Sequence, residues 1–382
     1  MEKLKAFFKR ELMLTVSVAA AVVSLFITPP STGLLKSIDW HTLGTLFMML
    51  CVLEGFKQEN VLRPLVSLVS RFKRMTSVSL FLIFGVFFTS MLVTNDVSLI
   101  IFVPLTIMIF RSAGKEKYIL PVISMENIAA IRGSLLTPFG SPQNLYLFGQ
   151  SGVSAGRFML HMLPLCAMSA VLLVLFVLFL YRHELSEPVN AAPAKAAAPW
   201  LPEGRVKRIA YFSLFLLIIT VIVTRTEYWY IAALVAAGVI LAVDRGLFLK
   251  VDYVLLLTFL CFFIFSSSIA SNSGISGLLD RAVSGHEYWW AIGLSQLISN
   301  VPATIVLYPF ADSFAGLIYG ADTAGLCSLI GSLASVINLR LYVREYPGKG
   351  AAFIKTFTLV SWAFFLIVVL PGYFLSKWSF FS

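Results

Sequence analysis

The chain has 382 residues, 59% of them hydrophobic and 13% charged, with a mean hydropathy of +0.89, against roughly 45–50% apolar and 25% charged in a soluble domain. This excludes an ordinary soluble enzyme or binding module and implies a polytopic, all-α membrane protein. The formal net charge of +10 does not point to nucleic acid, because the basic residues fall in short clusters between apolar runs and form no single basic face or tail.

Met1 to Arg10 carries Lys3, Lys5, Lys9 and Arg10 and precedes an apolar run from Leu12 to Thr28. That order resembles a signal peptide, but Pro29-Pro30 and the many later apolar segments favour a retained first span. A second span, Asp39 to Gly55, opens on Asp39-Trp40, a polar residue and an aromatic suited to the membrane interface. Thr76 to Phe110 is apolar but broken near its centre by Thr94-Asn95-Asp96, which predicts a re-entrant hairpin over 76–110 with Asn95 near its tip. Tyr118 to Phe148 is then interrupted by Thr137-Pro138-Phe139-Gly140-Ser141-Pro142-Gln143-Asn144. Prolines and a glycine remove backbone hydrogen bonds and let the chain unwind. In hydrocarbon such a break is tolerated only inside protein or beside a polar cavity, so this broken helix over 118–148 marks a candidate binding site. Phe158 to Tyr181 completes an N-terminal repeat over 1–182.

The proline- and alanine-rich stretch 183–208 reads as a cytoplasmic linker. The second repeat, 209–382, begins with spans Ile209 to Thr224, Trp229 to Val243 and Val251 to Ala270, followed by a glycine- and serine-rich loop. A second hairpin is expected over 288–310, broken at Ser299-Asn300-Val301-Pro302. A second broken helix is expected over 323–342, interrupted at Gly331-Ser332, and Phe357 to Phe374 is the last span.

With a cytoplasmic N-terminus and two re-entrant hairpins, every basic cluster falls on the cytoplasmic side, and the outer loops keep only Lys36, Arg157, Arg225 and Arg281. This is the positive-inside bias. Ile38-Asp39-Trp40 matches Val251-Asp252-Tyr253, Thr94-Asn95-Asp96 matches Ser299-Asn300-Val301, and Gly140-Ser141 matches Gly331-Ser332. In that topology the halves run in opposite senses, so the fold expected is two inverted-topology repeats with re-entrant hairpins and broken transmembrane helices. Paired interruptions of this kind point to the midplane site of a secondary transporter.

The ends of broken helices carry about half a charge each, positive at N-termini and negative at C-termini, so they can hold an anion and a sodium ion respectively. Asn95 and Asn300 offer an amide carbonyl to a cation and an NH₂ to an anion, and Ser141, Ser299, Thr304 and Ser332 add hydroxyls. Asp96, Glu126 and Arg132 are the ionisable residues in or near the breaks, where a charge needs a cavity or a partner. Arg132 is placed to receive an anion bidentately, or else to snorkel to an interface or neutralise a nearby carboxylate. Asp39 and Asp252 read as helix caps. Cys51, Cys166, Cys261 and Cys327 form no CxxC, and His41, His161, His183 and His286 lack metal-ligand spacing, so no disulfide, metal cluster or cofactor is expected. Neither a nucleophile-base pair nor a metal motif suggests an enzyme.

On these motifs the chain resembles the ion-transporter superfamily, which includes divalent-anion/sodium symporters, citrate/metal permeases, arsenite permeases and sodium/proton antiporters. The resemblance runs from the Asp39-Trp40 span to Tyr342 and implies a homodimer in a prokaryotic cytoplasmic membrane, with lipid and a small anionic substrate as partners. It implies cation sites at Thr94, Asn95, Asp96 and the Gly140 loop, and at Ser299, Asn300 and the Gly331 loop. The substrate would lie between the hairpin tips, against Asn95, Asp96, Arg132, Ser141, Pro142, Asn144, Asn300, Thr304 and Ser332. Where the symporters have threonine as third motif residue this chain has Asp96 and Val301. A carboxylate there repels an anion unless protonated or metal-bound, and Asn300-Val301-Pro302 is closer to the arsenite-permease and antiporter branch. Sodium- or proton-coupled anion transport and cation/proton antiport both remain open.

Overall fold

The computed structural model describes residues 11–29, 32–61, 68–183 and 204–378; the expected basic cluster Lys3 to Arg10, Arg63 and most of the 183–208 linker lie outside the described residues. Among the described residues every regular element is a helix. The first half contains α1 (Leu12–Ile27), α2 (Thr32–Ser37), α3 (Trp40–Gln58), α4 (Met75–Val93), α5 (Asn95–Ser112), α6 (Ile119–Ser134), α7 (Pro142–Gln150) and α8 (Ala155–Leu180). The second contains α9 (Arg205–Thr224), α10 (Trp229–Val243), α11 (Tyr253–Ala270), α12 (Ser273–Val283), α13 (Glu287–Ile298), α14 (Asn300–Leu307), α15 (Phe314–Ala324), α16 (Leu333–Glu345) and α17 (Gly350–Ser376). Six of these, α4, α5, α8, α9, α11 and α17, are long and apolar enough to cross a membrane. The chain is an integral membrane protein.

Two expectations need correction. The second broken helix starts at Phe314, not at residue 323: α15 ends at Ala324, residues 325–332 are non-helical, and α16 resumes at Leu333. Gly316, Gly320 and Asp322 weaken the apolar signal of α15, yet the helix packs in the interior, where tertiary contacts outweigh propensity. The glycine- and serine-rich loop after Ala270 is also largely helical. Asn272 accepts hydrogen bonds from the Gly274 and Ile275 amides and so starts α12, an N-cap strong enough to offset two glycines.

The hairpins follow from one residue each. Thr94 takes φ 69°, ψ 159° and Ser299 takes φ 68°, ψ 159°, a region close to glycine-only space that reverses the chain at a cost of about 1–3 kcal/mol. Thr89 Oγ1 donates to Ser98 Oγ at 2.9 Å, a contact nine residues along the chain that only a folded-back hairpin permits. Helices α4 and α5 have 19 and 18 residues, whereas α13 and α14 have 12 and 8, so the second hairpin is too short to span a bilayer ~30 Å thick at 1.5 Å per residue.

Each hairpin packs against the broken helix of its own half. Helices in lipid gain most from close van der Waals contact, which small residues permit. At Gly133 of α6 a Cβ would stand 1.9 Å from the Phe87 carbonyl of α4, and at Gly320 of α15 it would stand 2.5 Å from the Tyr288 carbonyl of α13. The Asp caps also repeat: Asp39 and Asp252 share φ −77°, ψ 82° and accept from the Thr42 and Leu255 amides.

Charged residues gather at helix ends. Lys207 pairs with Asp244 at 2.9 Å, Arg208 with Glu59 at 3.3 Å, and Lys250 donates to Gln58 at 2.9 Å, which brings the ends of α3 and α10 and the start of α9 together. The hydrogen bond from Lys207 holds the Asp244 carboxyl below its ordinary value. Arg111 pairs with Glu345 at 3.5 Å and lies over the Tyr346 ring. At the other end of α3, Gln150 of α7 donates to Asp39 at 2.7 Å. There Arg225 also donates to the Phe148 carbonyl at 2.6 Å.

Candidate functional site

The first break, residues 135–141, is held open by side chains that satisfy its freed backbone. The Asn144 amide donates to the carbonyls of Ser134 at 3.3 Å and Leu135 at 3.2 Å, capping the end of α6. Ser141 accepts from the Asn144 amide N–H at 3.4 Å, and Pro142 sits in the first turn of α7, where its missing N–H costs nothing. Thr137 Oγ1 donates to the Met91 carbonyl at 2.5 Å, which ties the break to the hairpin tip. A Cβ on Gly140 would fall 2.2 Å from the Ser134 carbonyl, so only glycine fits.

The second break repeats this plan with other donors. The Asn300 backbone N–H donates to the Gly331 carbonyl at 3.2 Å, and its side-chain amide reaches the Ala321 carbonyl at 3.4 Å. Gln296 of α13 donates to the Ala324 carbonyl at 3.1 Å, the capping service that Asn144 gives in the first half. Gly331 is crowded as Gly140 is, its Cβ position lying 2.5 Å from the Ala324 carbonyl.

Several expected site residues converge. Thr94, Asp96, Ser141 and Pro142 line one small cavity of about 30 Å³, closed by Phe139, by Leu46 and Leu53 of α3 and by Leu255 of α11. That volume admits a water or a small ion but no larger solute. Asp96 Oδ1 is buried there without a hydrogen-bond partner, while the side-chain Oδ1 of Asn95 accepts from the Asp96 backbone N–H at 3.1 Å. Ser299 Oγ is likewise buried and unpartnered.

Other expected residues have their polar groups engaged elsewhere. The NH₂ of Asn144 is spent on the α6 carbonyls, and Thr304 Oγ1 donates to the Asn300 carbonyl at 2.8 Å. Ser332 makes no capping bond. Glu126 accepts from Thr106 and forms no pair with Arg132.

Arg132 does not snorkel. It is 0% exposed, its Nη1 lies 3.4 Å from the backbone carbonyl of Asp322, and its Nε and Nη2 have no partner. Asp322, missed in the sequence, is 1% exposed; its Oδ1 accepts from Gln143 at 3.0 Å and its Oδ2 is unpartnered. Arg132 stands two residues before the end of α6, and Asp322 two residues before the end of α15. The available signal was a lone carboxylate in an apolar stretch just ahead of a break, which by itself marks a functional residue in a membrane segment.

A family model for citrate transporters matches residues 3–317 of the chain. The chain belongs to this citrate transporter family. It is 31% identical over 310 residues to the inner membrane protein YbiR of Escherichia coli K12, covering 80% of each chain. It is 30% identical over 306 residues to an uncharacterized transporter, MJ0456, of Methanocaldococcus jannaschii, covering 80% of this chain and 81% of that one. In fold it is similar to the YdaH transporter of Alcanivorax borkumensis, with a TM-score of 0.56 and 16% identity over 96% of each chain. The chain is thus a membrane transporter and not an enzyme. The family match ends before Asp322 and the second break.

Proposed function

We propose that this citrate transporter family member is a secondary active transporter that carries a small anion, coupled to sodium or protons, by alternating access around a site between the two hairpin tips. The observation that carries the reading is the duplication at atomic detail. Two reversals with nearly the same positive φ are each followed by an asparagine, and each tip is tied to an unwound helix, by Thr137 to Met91 in the first half and by Asn300 to Gly331 and Ala321 in the second, whose carbonyls are capped by side-chain amides. Freed peptide groups in mid-membrane are stable only where they are packed inside protein or line a polar cavity, and two such sets suit an ion pair. Citrate, named for the family, is the first anion to test.

The inverted arrangement is supported by the Asp caps. Asp39 starts α3 beside Gln150, whereas Asp252 starts α11 next to Lys250, which contacts Gln58 at the far end of α3. The gathering of basic residues with Gln58 and Glu59 fits a cytoplasmic end, hence a cytoplasmic N-terminus. We further propose the division into repeats over 1–182 and 209–382, and a homodimer. Sodium would bind in the cavity at Asp96, Thr94 and Ser141. The substrate would meet Asn95, Asn300 and Arg132.

The decisive measurement is uptake of labelled citrate and other small anions into proteoliposomes under imposed sodium or pH gradients. Gradient-dependent uptake is expected, with loss in Asn95→Ala and Asn300→Ala variants that still purify as folded protein. Uptake indifferent to both gradients, or normal in both variants, would refute the reading.

A second reading, cation/proton antiport, is favoured by the unpartnered Asp96 oxygen in a cavity of ionic size. Sodium-induced pH change inside dye-loaded vesicles, absent in Asp96→Asn, would select it.

A further inference from the structure

Three polar clusters do not line the hairpin-tip cavity and stand out: the buried Glu126–Thr106 pair, the part-buried Arg225 grip on the end of α7, and the buried Arg132–Asp322 pair. Glu126 accepts from Thr106 at Oε1 and keeps Oε2 unpartnered, but it lies near no charged partner among the described residues, and the guanidinium of Arg225 is engaged with three acceptors through Nη2. Arg132 and Asp322 keep three unpartnered polar atoms between them in a part of the molecule closed to solvent.

Resting on the transport reading, we infer that Asp322 is the proton-coupling carboxyl of this transporter and that Arg132 is its fixed countercharge. The argument starts from hydrogen-bond capacity. A carboxylate in a membrane interior requires strong partners for both oxygens. Asp322 has one neutral donor, Gln143 at Oδ1, and nothing at Oδ2. Arg132 directs Nη1 to the backbone carbonyl of Asp322, and no ion pair within 4.0 Å joins the two side chains among the described residues. The carboxyl can therefore take a proton on Oδ2 without breaking any existing hydrogen bond. It can return the proton in the same way, so one proton is bound and one released per cycle and no other bond changes.

Of the carboxyls with an unpartnered buried oxygen among the described residues, Asp96, Glu126 and Asp322, Asp322 is the one whose residue Arg132 contacts. Packed around the pair, α7 brings Gln143, α8 brings Cys166 and His161, and α13 brings Tyr288, whose hydroxyl is committed to the Val369 carbonyl at 2.7 Å. On α15 itself, Tyr319 donates to the His161 carbonyl. Helix α14 carries no ionisable side chain, and α17 carries only Lys355 and Tyr373, the latter meeting Tyr288 edge-on with ring centroids 5.6 Å apart. The Glu287 carboxylate of α13 is committed to the amides of Gly285, Asp312 and Ser313.

Position adds to chemistry. The pair bridges α6 and α15 just before both breaks, and Gln143 joins Asp322 to the first residues of α7. A change of charge on Asp322 is thus felt at both unwound segments, which is what coupling between a proton and a bound anion requires.

The test uses full-length protein in liposomes with two readouts. Infrared titration of the protonated-carboxyl C=O stretch is expected to lose one pH-dependent band in Asp322→Asn and to keep it in Asp96→Asn. Citrate uptake driven by an acid exterior is expected to fall roughly tenfold or more in Asp322→Asn, and Asp322→Glu, which keeps a carboxyl, is expected to retain a displaced band and part of the uptake. An unchanged infrared titration in Asp322→Asn, or undiminished acid-driven uptake, overturns the inference. If Asp322→Asn fails to fold, a band in Asp322→Glu identical to the wild-type band overturns it equally. If the wild-type protein carries no citrate, citrate as substrate fails, and the infrared arm still decides the role of Asp322.

Discussion

The two hairpin tips have the same backbone and different chemistry. Thr94 and Ser299 agree in φ and ψ to within a degree, and each is followed by an asparagine. The next residue is Asp96 in one half and Val301 in the other. Asp96 faces a cavity with an unpartnered oxygen, whereas Val301 is packed at 4% exposure. At the breaks the contrast reverses, with a basic residue, Arg132, in the first half and an acidic one, Asp322, in the second. The device that unwinds the helices has been kept in duplicate, while charge has been distributed so that neither half repeats the other. Geometry and ion chemistry are therefore separable, and substitutions can address them one at a time.

The largest effect is expected where geometry is tightest. Gly133→Ala places a Cβ 1.9 Å from the Phe87 carbonyl and 2.4 Å from Ser90 Oγ, whereas Gly320→Ala meets the Tyr288 carbonyl at 2.5 Å. Backbone atoms cannot swing aside, so α6 must lift from α4. Gly133→Ala is expected to cost about 3 kcal/mol or more and Gly320→Ala about 1–2 kcal/mol, seen as unequal drops in melting temperature in detergent. Equal drops would show that the first hairpin is no more tightly seated than the second.

Separating chemistry from geometry gives the next effect. Asp96→Asn keeps shape and removes charge, and under the proposed cation site it loses a charge-assisted contact of about 1.5–3 kcal/mol, or roughly tenfold or more in transport. Val301→Thr, at the matching place, is expected to leave uptake within about twofold. Uptake that is equally sensitive at both positions would mean that the halves bind alike despite their different residues.

Much of this plan was legible in the sequence. Pro138, Gly140 and Pro142 advertise the first break because each removes backbone pairing or adds freedom in an apolar run, and the Asp caps announce α3 and α11. The start of the second broken helix was not legible, since the glycines and Asp322 of α15 dilute its hydropathy although the segment is buried by its neighbours. Asp322 was lost with it. The roles of Asn144 and Gln296 as caps of helix carbonyls depend on distances across a break, which residue spacing does not encode.

A smaller effect tests the turn itself. Thr94→Gly and Ser299→Gly relieve a positive φ that costs about 1–3 kcal/mol, offset by the extra entropy that glycine loses on folding, about 0.5–1 kcal/mol. Both variants are expected to melt at or slightly above the wild-type temperature. Thr94 gains more, being β-branched, and uptake falls in each because a hydroxyl leaves the tip. A lowered melting temperature in either would show that the hydroxyl, and not the reversal, stabilises the hairpin.

The smallest effect contrasts the buried charges with those at the helix ends. Asp244 accepts from Lys207 at 2.9 Å and from Tyr211 at 3.2 Å, but Lys207 is 39% exposed, so water screens the pair and Asp244→Asn is expected to cost no more than about 1 kcal/mol. The Lys207 hydrogen bond depresses the carboxyl below its ordinary value of 3.8. A depressed carboxyl stabilises the fold above the unfolded value and loses that stabilisation as pH falls through the folded value. The gap in melting temperature between wild type and Asp244→Asn should thus be constant from neutrality down to mild acidity and close below 3.8. It should also shrink at high salt, as an exposed pair must. A gap that widened in acid would place the stabilising proton on Asp244 and reverse the direction of this contact.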